Sequence, residues 1–156
     1  MRFVEYLREE RVVLRPPWST FDDTVAGLVG TLVADGSLRP ADEAAALLAI
    51  RTREREASTA VLEIGIGIPH ARMASVARPV VALAVSPAGF YEPVPTVRIR
   101  IVGLLLSPPA AGDEHLRLLG GMATLLRSQV LRDALITAPN ATAVLDAFGR
   151  HDRSAP

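Results

Sequence analysis

Apolar residues in the first third of the chain recur at the spacing of an amphipathic helix. The predicted buried face of this helix consists of Val25, Leu28, Val29, Leu32 and Val33. Ser19 or Thr20 is placed to cap its N-terminus, because a hydroxyl oxygen there accepts a hydrogen bond from a free backbone N–H. Gly36 follows the last apolar position, so we expect the helix to end at that residue.

The next segments predict one more helix and then several strands. A second helix is expected to begin near Pro40 and to reach about Arg53, and a short strand is possible before the first helix, at Val12 to Leu14. The middle of the chain is β-rich and bounded by Gly and Pro. The strands predicted there are Ala60 to Ile64, Val80 to Val85 and Val97 to Leu106. The third begins with alternation and becomes wholly apolar, which is typical of a strand that enters a covered sheet.

Helical spacing returns in the last third of the chain. Three helices are predicted there: the first begins near Asp113, the second covers Val130 to Ile136, and the third covers Ala141 to Phe148. Helices at both ends with strands between them favour an α/β fold, a single-domain sandwich with a mixed β-sheet flanked by helices. A length of 156 residues suits one domain. We assign residues 1–150 to this domain and residues 151–156 to a flexible tail.

Composition excludes several classes of function. The formal net charge is zero, which gives no support for nucleic-acid binding. The chain has no Cys and no Lys, so disulfides, thiolate metal sites, cysteine nucleophiles and lysine Schiff bases are excluded. No apolar run reaches the roughly 18–20 residues that span a bilayer, and no signal-peptide layout is present. We therefore expect a cytoplasmic protein without direct membrane insertion.

The three histidines are the first candidates for chemistry. His70 ends the otherwise apolar segment from Gly65 to Pro69, in which two glycines permit close backbone approach. His115 lies at the start of a predicted helix, where free N–H groups favour phosphate. Taken alone, each is also compatible with an inert turn or capping residue. His151 falls in the predicted tail, and we expect it to be incidental.

Alternating charges at Arg53 to Glu56 add a second kind of candidate. Such a run is usually a solvated helix face. A guanidinium is nevertheless the natural partner of a phosphoryl group, because its forked donors match two phosphate oxygens.

Together these segments resemble a known family. The segments Arg53-Glu54-Arg55-Glu56-Ala57-Ser58-Thr59, Gly65-Ile66-Gly67-Ile68-Pro69-His70-Ala71-Arg72 and Asp113-Glu114-His115-Leu116-Arg117-Leu118-Leu119 carry the resemblance. They are similar to the type-2 EIIA domain of the phosphotransferase system, of the fructose/mannitol and nitrogen-regulatory kind. The resemblance extends over roughly Val12 to Phe148 and implies the mannitol/fructose-type IIA fold.

The resemblance also implies a mechanism. It makes His70 the phosphorylated residue and catalytic nucleophile, His115 a second catalytic histidine that stabilises the phosphoryl group, and Arg53 the phosphoryl-binding residue, with Arg72 a weaker candidate. The implied donor is the histidine phosphocarrier protein, and the acceptor is a IIB domain in sugar uptake. No metal or other cofactor is implied, since the donor is itself a phosphohistidine. The apolar neighbours Ile66 and Ile68 could either form a docking surface or point inward.

Three features depart from the family pattern. Gly67 stands where the family usually has Ala, and the spacing from Thr59 to His70 is one residue longer. The segment from Ala88 to Glu92 also differs from the corresponding family loop. Three other functions stay open: a regulatory module that binds a transporter, channel or kinase; a histidine-based metal hydrolase using His70, His115 and Asp113; and a homologue that no longer accepts phosphate.

Overall fold

The structure, a computed structural model, describes residues 2–154, without the side chains of the last two. Within this range the chain forms eight strands and five α-helices. The strands are β1 (Val12–Leu14), β2 (Ala60–Val61), β3 (Ile66–Gly67), β4 (His70–Arg72), β5 (Val80–Val85), β6 (Tyr91–Val94), β7 (Val97–Ile99) and β8 (Ile101–Ser107). The helices are α1 (Phe21–Ala34), α2 (Glu43–Glu56), α3 (Gly112–Leu125), α4 (Gln129–Ile136) and α5 (Ala141–Ser154).

A mixed sheet forms the centre of the fold, in the order β1-β5-β8-β3-β2, with β4 also paired to β8. Strands β1 and β5 are parallel, β5 and β8 are antiparallel, and β8 is parallel to both β3 and β4. Strands β6 and β7 form a separate hairpin. This arrangement confirms the predicted α/β fold with a mixed sheet flanked by helices.

The sheet has an apolar layer on each face. Alternate residues of β5 enter different layers, with Val81 and Leu83 on one face and Ala82 and Ala84 on the other. Helices α3, α4 and α5 supply the first layer, and α1 and α2 supply the second. Because both faces are covered, β5 and β8 are buried at every position and read as continuous apolar runs.

Helix α1 begins and ends where local chemistry predicts. The Thr20 hydroxyl oxygen accepts a hydrogen bond from the Asp23 N–H at 3.0 Å. Gly36 follows the helix in a left-handed conformation, with a φ of 82°. Helix α2 starts after a short 3₁₀ turn (Pro40–Asp42) and ends at Glu56, three residues beyond the predicted end.

Two predicted strands differ from those observed. Val97 to Leu106 was predicted as one strand but forms β7 and β8, which break at Arg100. The Arg100 backbone continues the pairing of the central sheet, because its N–H donates to the Gly65 carbonyl and its carbonyl accepts from the Ser86 N–H, both at 2.9 Å. Strand β7, before it, pairs with β6 in the separate hairpin. Ala60 to Ile64 keeps only two residues of strand, because Leu62–Ile64 forms a 3₁₀ turn before Gly65, whose φ is 65°.

The N-terminal segment is tied to the last helix. The Val4 N–H donates to Asp152 at 2.8 Å, and the rings of Phe3 and Phe148 lie 5.3 Å apart.

Helix α5 continues to Ser154, so residues 151–154 are helical and extend beyond the predicted domain end at residue 150. Residues 155 and 156 of the predicted tail lie outside the described residues.

Candidate functional site

His70 is the first residue of β4, where the chain pairs with the central strand β8. The register places His70 opposite Leu105, and the Pro69 carbonyl accepts a hydrogen bond from the Leu105 N–H at 3.0 Å. The sequence left an inert turn open as one alternative for this segment, but pairing with β8, which no local pattern reveals, makes it a short strand. His70 is half-buried at the end of an apolar segment whose backbone is fixed by the sheet.

One nitrogen of the His70 ring is bound to the backbone. Nδ1 lies 2.7 Å from the Ile68 carbonyl oxygen. A carbonyl can only accept, so Nδ1–H donates and the neutral ring keeps its lone pair on Nε2. Burial lowers the pKa of His70, and the charges of Arg53 and Arg72 lower it further, against the Ile68 carbonyl and Glu54. The lowered pKa favours the neutral ring, whose lone pair is on Nε2.

His115 occupies the fourth position of α3 and is buried, with 3% exposure. Its Nδ1 lies 2.8 Å from the hydroxyl oxygen of Ser107, the last residue of β8. Burial, followed by the neighbouring His70 and Arg72, lowers the pKa of His115 to about 4. This histidine is also neutral at pH 7.

The two imidazoles lie next to each other although 45 positions separate them in the sequence. Their centroids are 5.4 Å apart, and the ring planes meet at 64°. The family resemblance implies this proximity, since it assigns both histidines to one phosphoryl group. Strand β8 positions both rings. Strand β4, which carries His70, pairs with the last residues of β8, and Ser107 at the end of β8 contacts His115.

A glycine in β8 allows α3 to lie close to the sheet. A Cβ at Gly103 would overlap the sulfur of Met122, which packs against that position from α3. Met122 is fully buried two turns after His115. The close approach of helix and strand therefore helps to set the depth of His115.

Two arginines line the cavity that holds the histidines, and they belong to different elements. Arg53 comes from the last turn of α2 and Arg72 from the end of β4. The Arg53 guanidinium donates to the Ala57 carbonyl at 3.0 Å, and Arg72 lies beside Gly112 at the start of α3. Arg55 lines a separate cavity beside Asp22. The structure thus places Arg53 and Arg72, and not Arg55, at the histidine pair.

The spacing of the Arg-Glu and Ser-Thr residues has a structural explanation. The carboxylate of Glu54 accepts from the Thr59 backbone N–H at 2.8 Å and from its hydroxyl at 2.6 Å. This double contact ties the end of α2 to the start of β2. It fixes the last turn of the helix, from which Arg53 extends towards His70.

The segment between Thr59 and His70 folds back on itself as a hairpin. Ala60 pairs with Gly67 and Val61 with Ile66, and residues 62–65 form the connection. Arg53 lines the histidine cavity although the spacing from Thr59 to His70 is longer than in the family pattern.

The other two departures from the family pattern meet in space. A Cβ at Gly67 would overlap the Tyr91 hydroxyl, which lies directly against the glycine. Tyr91 begins β6 and belongs to the unusual segment from Ala88 to Glu92. Its ring also packs edge-on to Phe21, with the centroids 5.3 Å apart. The Tyr91 hydroxyl is buried without a hydrogen-bond partner among the described residues, and burial raises its pKa.

Apolar side chains surround the histidine pair. The cavity has a volume of about 780 Å³, and its wall includes Leu48 and Leu116, which are 60% and 61% exposed. Ile66 and Ile68 are 0% and 6% exposed, so both point inward and are not a docking surface. The exposed apolar side chains around the histidines are instead Leu48 of α2 and Leu116 of α3.

Other proposed features can be placed in the same way. His151 lies on α5, where its Nδ1–H donates to the Ala147 carbonyl at 3.0 Å, and it is not part of the cavity wall. Within the part of the chain that the structure describes, no three His, Cys, Asp or Glu side chains are grouped as metal ligands. None of the helices in residues 2–154 combines the length and the hydropathy that a membrane crossing requires.

Sequence reasoning missed Ser107, Tyr91, Leu48 and Leu116. Ser107 gave one weak signal, as a polar residue at the end of an apolar strand. The other three follow only from packing.

Comparison with known proteins agrees with this geometry. A fructose-specific EIIABC component of Bacillus subtilis is 30% identical over 98% of this chain, which spans 24% of that protein's length. A fructose-specific EIIA component of Haloferax volcanii is 33% identical over 89% of both chains. The crystal structure of nitrogen regulatory protein IIA-Ntr from Neisseria meningitidis superposes with a TM-score of 0.80 at 25% identity, covering 93% of this chain and 97% of that one. With residues 5–150 matching the family model, the chain belongs to the EIIA 2 family of the phosphoenolpyruvate-dependent sugar phosphotransferase system.

Proposed function

We propose that Nε2 of His70 accepts a phosphoryl group from the histidine phosphocarrier protein and passes it to a IIB component. The hydrogen bond from Nδ1–H to the Ile68 carbonyl carries this proposal, because it leaves Nε2 as the nucleophile. In the step, the donor's nitrogen–phosphorus bond breaks and its electron pair returns to the donor imidazole, while Nε2 bonds the phosphorus. Nδ1 keeps its proton, and the carbonyl stabilises the positive charge that the ring acquires.

The surrounding groups match what phosphoryl transfer requires. The transition state places charge on the phosphoryl oxygens, so catalysis consists mainly of positioning and charge stabilisation. His115 is the nearest ring, and Arg53 and Arg72 supply positive charge along the same wall. His115 lies in the first turn of α3, and a helix N-terminus adds partial positive charge there.

The apolar rim suits transient protein partners. A carrier must meet both donor and acceptor through the surface that contains its reactive nitrogen. Leu48 and Leu116 provide exposed apolar area on either side of the histidines, whereas most large apolar residues are buried. We propose that both partners dock on this rim and that the exchange takes place in the cytoplasm.

The acceptor is the less determined half of the reaction. The EIIABC designation of the Bacillus relative favours a IIB component and sugar uptake. The likeness to IIA-Ntr favours a second function, in which the phosphorylation state of His70 controls binding to a regulated transporter, channel or kinase. Transfer of labelled phosphate from the phosphorylated chain to a IIB component separates the two, since only the first function requires it.

Replacement of the proposed nucleophile tests the shared step. The chain is incubated with phosphorylated histidine phosphocarrier protein, and acid-labile label on it is followed with time. His70→Gln should abolish labelling, because the amide nitrogen of Gln has no nucleophilic lone pair. His151→Gln is the matched control and should be labelled at the wild-type rate. Labelling of His70→Gln at the wild-type rate would overturn the assignment, and so would a wild-type chain that a competent carrier never labels.

A further inference from the structure

Ser107 is a buried polar residue beside the histidine pair, and the reaction described above assigns it no role. It ends β8, is 0% exposed and lies opposite Arg72 in the strand register. Its hydroxyl oxygen is 2.8 Å from Nδ1 of His115. We propose that Ser107 is a positioning residue that donates its hydroxyl proton to Nδ1 of His115 and so holds the second histidine as the tautomer with its proton on Nε2. This inference rests on the proposed phosphocarrier function.

Hydrogen-bond accounting fixes the direction of this contact. Among residues 2–154 the hydroxyl of Ser107 makes one hydrogen bond, the one to His115. If Nδ1–H donated to the oxygen, the hydroxyl proton would be buried without an acceptor, which costs about 1–3 kcal/mol. If the hydroxyl donates instead, its proton and the lone pair of Nδ1 are both satisfied. The lower-energy arrangement puts the His115 proton on Nε2.

That tautomer gives the two histidines complementary roles. Nε2 of His70 offers a lone pair to phosphorus, and Nε2–H of His115 offers a proton to a phosphoryl oxygen. With the opposite tautomer, both rings would present a lone pair towards a negatively charged group. Since burial and nearby positive charge keep His115 neutral, a proton on Nε2 comes only at the expense of one on Nδ1.

The backbone around Ser107 keeps the hydroxyl in place. Its carbonyl accepts from the Met73 N–H at 2.9 Å, just after β4, and its register partner Arg72 lies two residues after His70. The strand pair that positions His70 therefore also positions the group that orients His115. Ser107 therefore connects the position of the His70 ring on β4 with the orientation of the His115 ring on α3.

Nitrogen-15 NMR of the unphosphorylated chain tests the tautomer directly. The proton-bearing nitrogen of a neutral imidazole resonates well upfield of the bare one, and long-range coupling patterns assign each nitrogen to its ring. For His115 near pH 7 we expect Nε2 protonated and Nδ1 bare. A wild-type spectrum with the proton on Nδ1 overturns the inference, even if His70 is labelled normally by the carrier.

Substitution of Ser107 tests the consequence for transfer. Ser107→Ala should leave His70 as the labelled residue, reduce the single-turnover labelling rate about tenfold and move His115 towards the Nδ1–H tautomer. Ser107→Thr keeps the hydroxyl and should recover most of the rate and the wild-type tautomer. The control is Ser86→Ala, another buried serine, which follows β5 at the opposite end of the sheet from Ser107.

Each outcome of these measurements separates the inference from the function on which it rests. A Ser107→Ala chain with the wild-type tautomer and rate shows that the serine only fills space. A wild-type chain with the expected tautomer but no labelling contradicts the phosphocarrier function and leaves the hydrogen-bond assignment standing. An equal loss in Ser86→Ala and Ser107→Ala shows a general effect of hydroxyl removal and overturns the specific role.

Discussion

In both His70 and His115 the ring Nδ1 makes a hydrogen bond, but the two partners differ in whether they can donate a proton. On β4 the partner is the Ile68 carbonyl, which can only accept. Next to α3 the partner is the Ser107 hydroxyl, which can also donate. In the proposed function, this difference gives two identical side chains 5.4 Å apart different roles, with no change in the residue itself.

Removal of the second ring should have a large effect on the transfer rate. His115→Ala should still take up acid-labile phosphate on His70, at a rate lower by about 10²–10³, the usual cost of losing one transition-state hydrogen-bond donor. His115→Asn retains an N–H donor and should lie between that rate and wild type. Single-turnover labelling by the phosphorylated carrier measures both.

The two histidine substitutions must then differ in kind. His70→Gln ends labelling, whereas His115→Ala only slows it or slows the onward transfer. If His115→Ala ends labelling and His70→Gln does not, the roles of the two regions are reversed.

A second test concerns the contact between Gly67 and Tyr91. Gly67→Ala should lower the free energy of unfolding by about 1–3 kcal/mol, because the new methyl group overlaps the Tyr91 hydroxyl. Tyr91→Phe alone should be neutral or stabilising, since it removes a buried hydroxyl that has no partner in the described part of the chain. Urea denaturation of the two variants and their double mutant gives the coupling energy.

The double mutant decides whether the two departures from the family pattern are one adaptation. In Gly67→Ala/Tyr91→Phe the added methyl meets only the ring, and most of the lost stability should return. Simple addition of the two single effects would show that the glycine and the tyrosine are independent.

The smallest predicted effect comes from the arginine on α2. Arg53→Ala should slow labelling about tenfold, or about 1.4 kcal/mol, the lower end for a charge-assisted contact because the side chain borders solvent. Arg55→Ala is the matched control, two residues along the same helix and beside a different cavity, and should stay within about twofold of wild type. Equal rates for the two variants would remove Arg53 from the phosphoryl-binding role.

Local signals predicted the elements that depend on local chemistry. Thr20 and Gly36 bound α1 because capping and a left-handed residue are properties of a few neighbouring positions. The apolar run of β5 was equally clear, since both of its faces are covered. In contrast, β4 is three residues long and is a strand only because β8 lies beside it. The break at Arg100 likewise depends on backbone partners that are distant in sequence.

The histidine pair was predictable only from motifs, and its supporting residues were not. Neither His70 nor His115 stands out from composition or spacing, and the family resemblance alone connected them. Ser107 gives only a weak local signal, since a serine after an apolar strand usually begins a loop. Leu48 and Leu116 occupy helical positions that periodicity cannot assign to a docking surface rather than to solvent.

The tie between Phe3 and Phe148 also bears on how the chain folds as it is made. Helix α5 is the last described element to leave the ribosome, so Phe3 has no aromatic partner while the first 140 residues emerge. A contact between residues 145 positions apart closes a long loop and forms slowly compared with helices or hairpins. The layer formed by α3 and α4 therefore stays open on one side until synthesis nears residue 154, and the nascent chain needs protection from aggregation longest at that face.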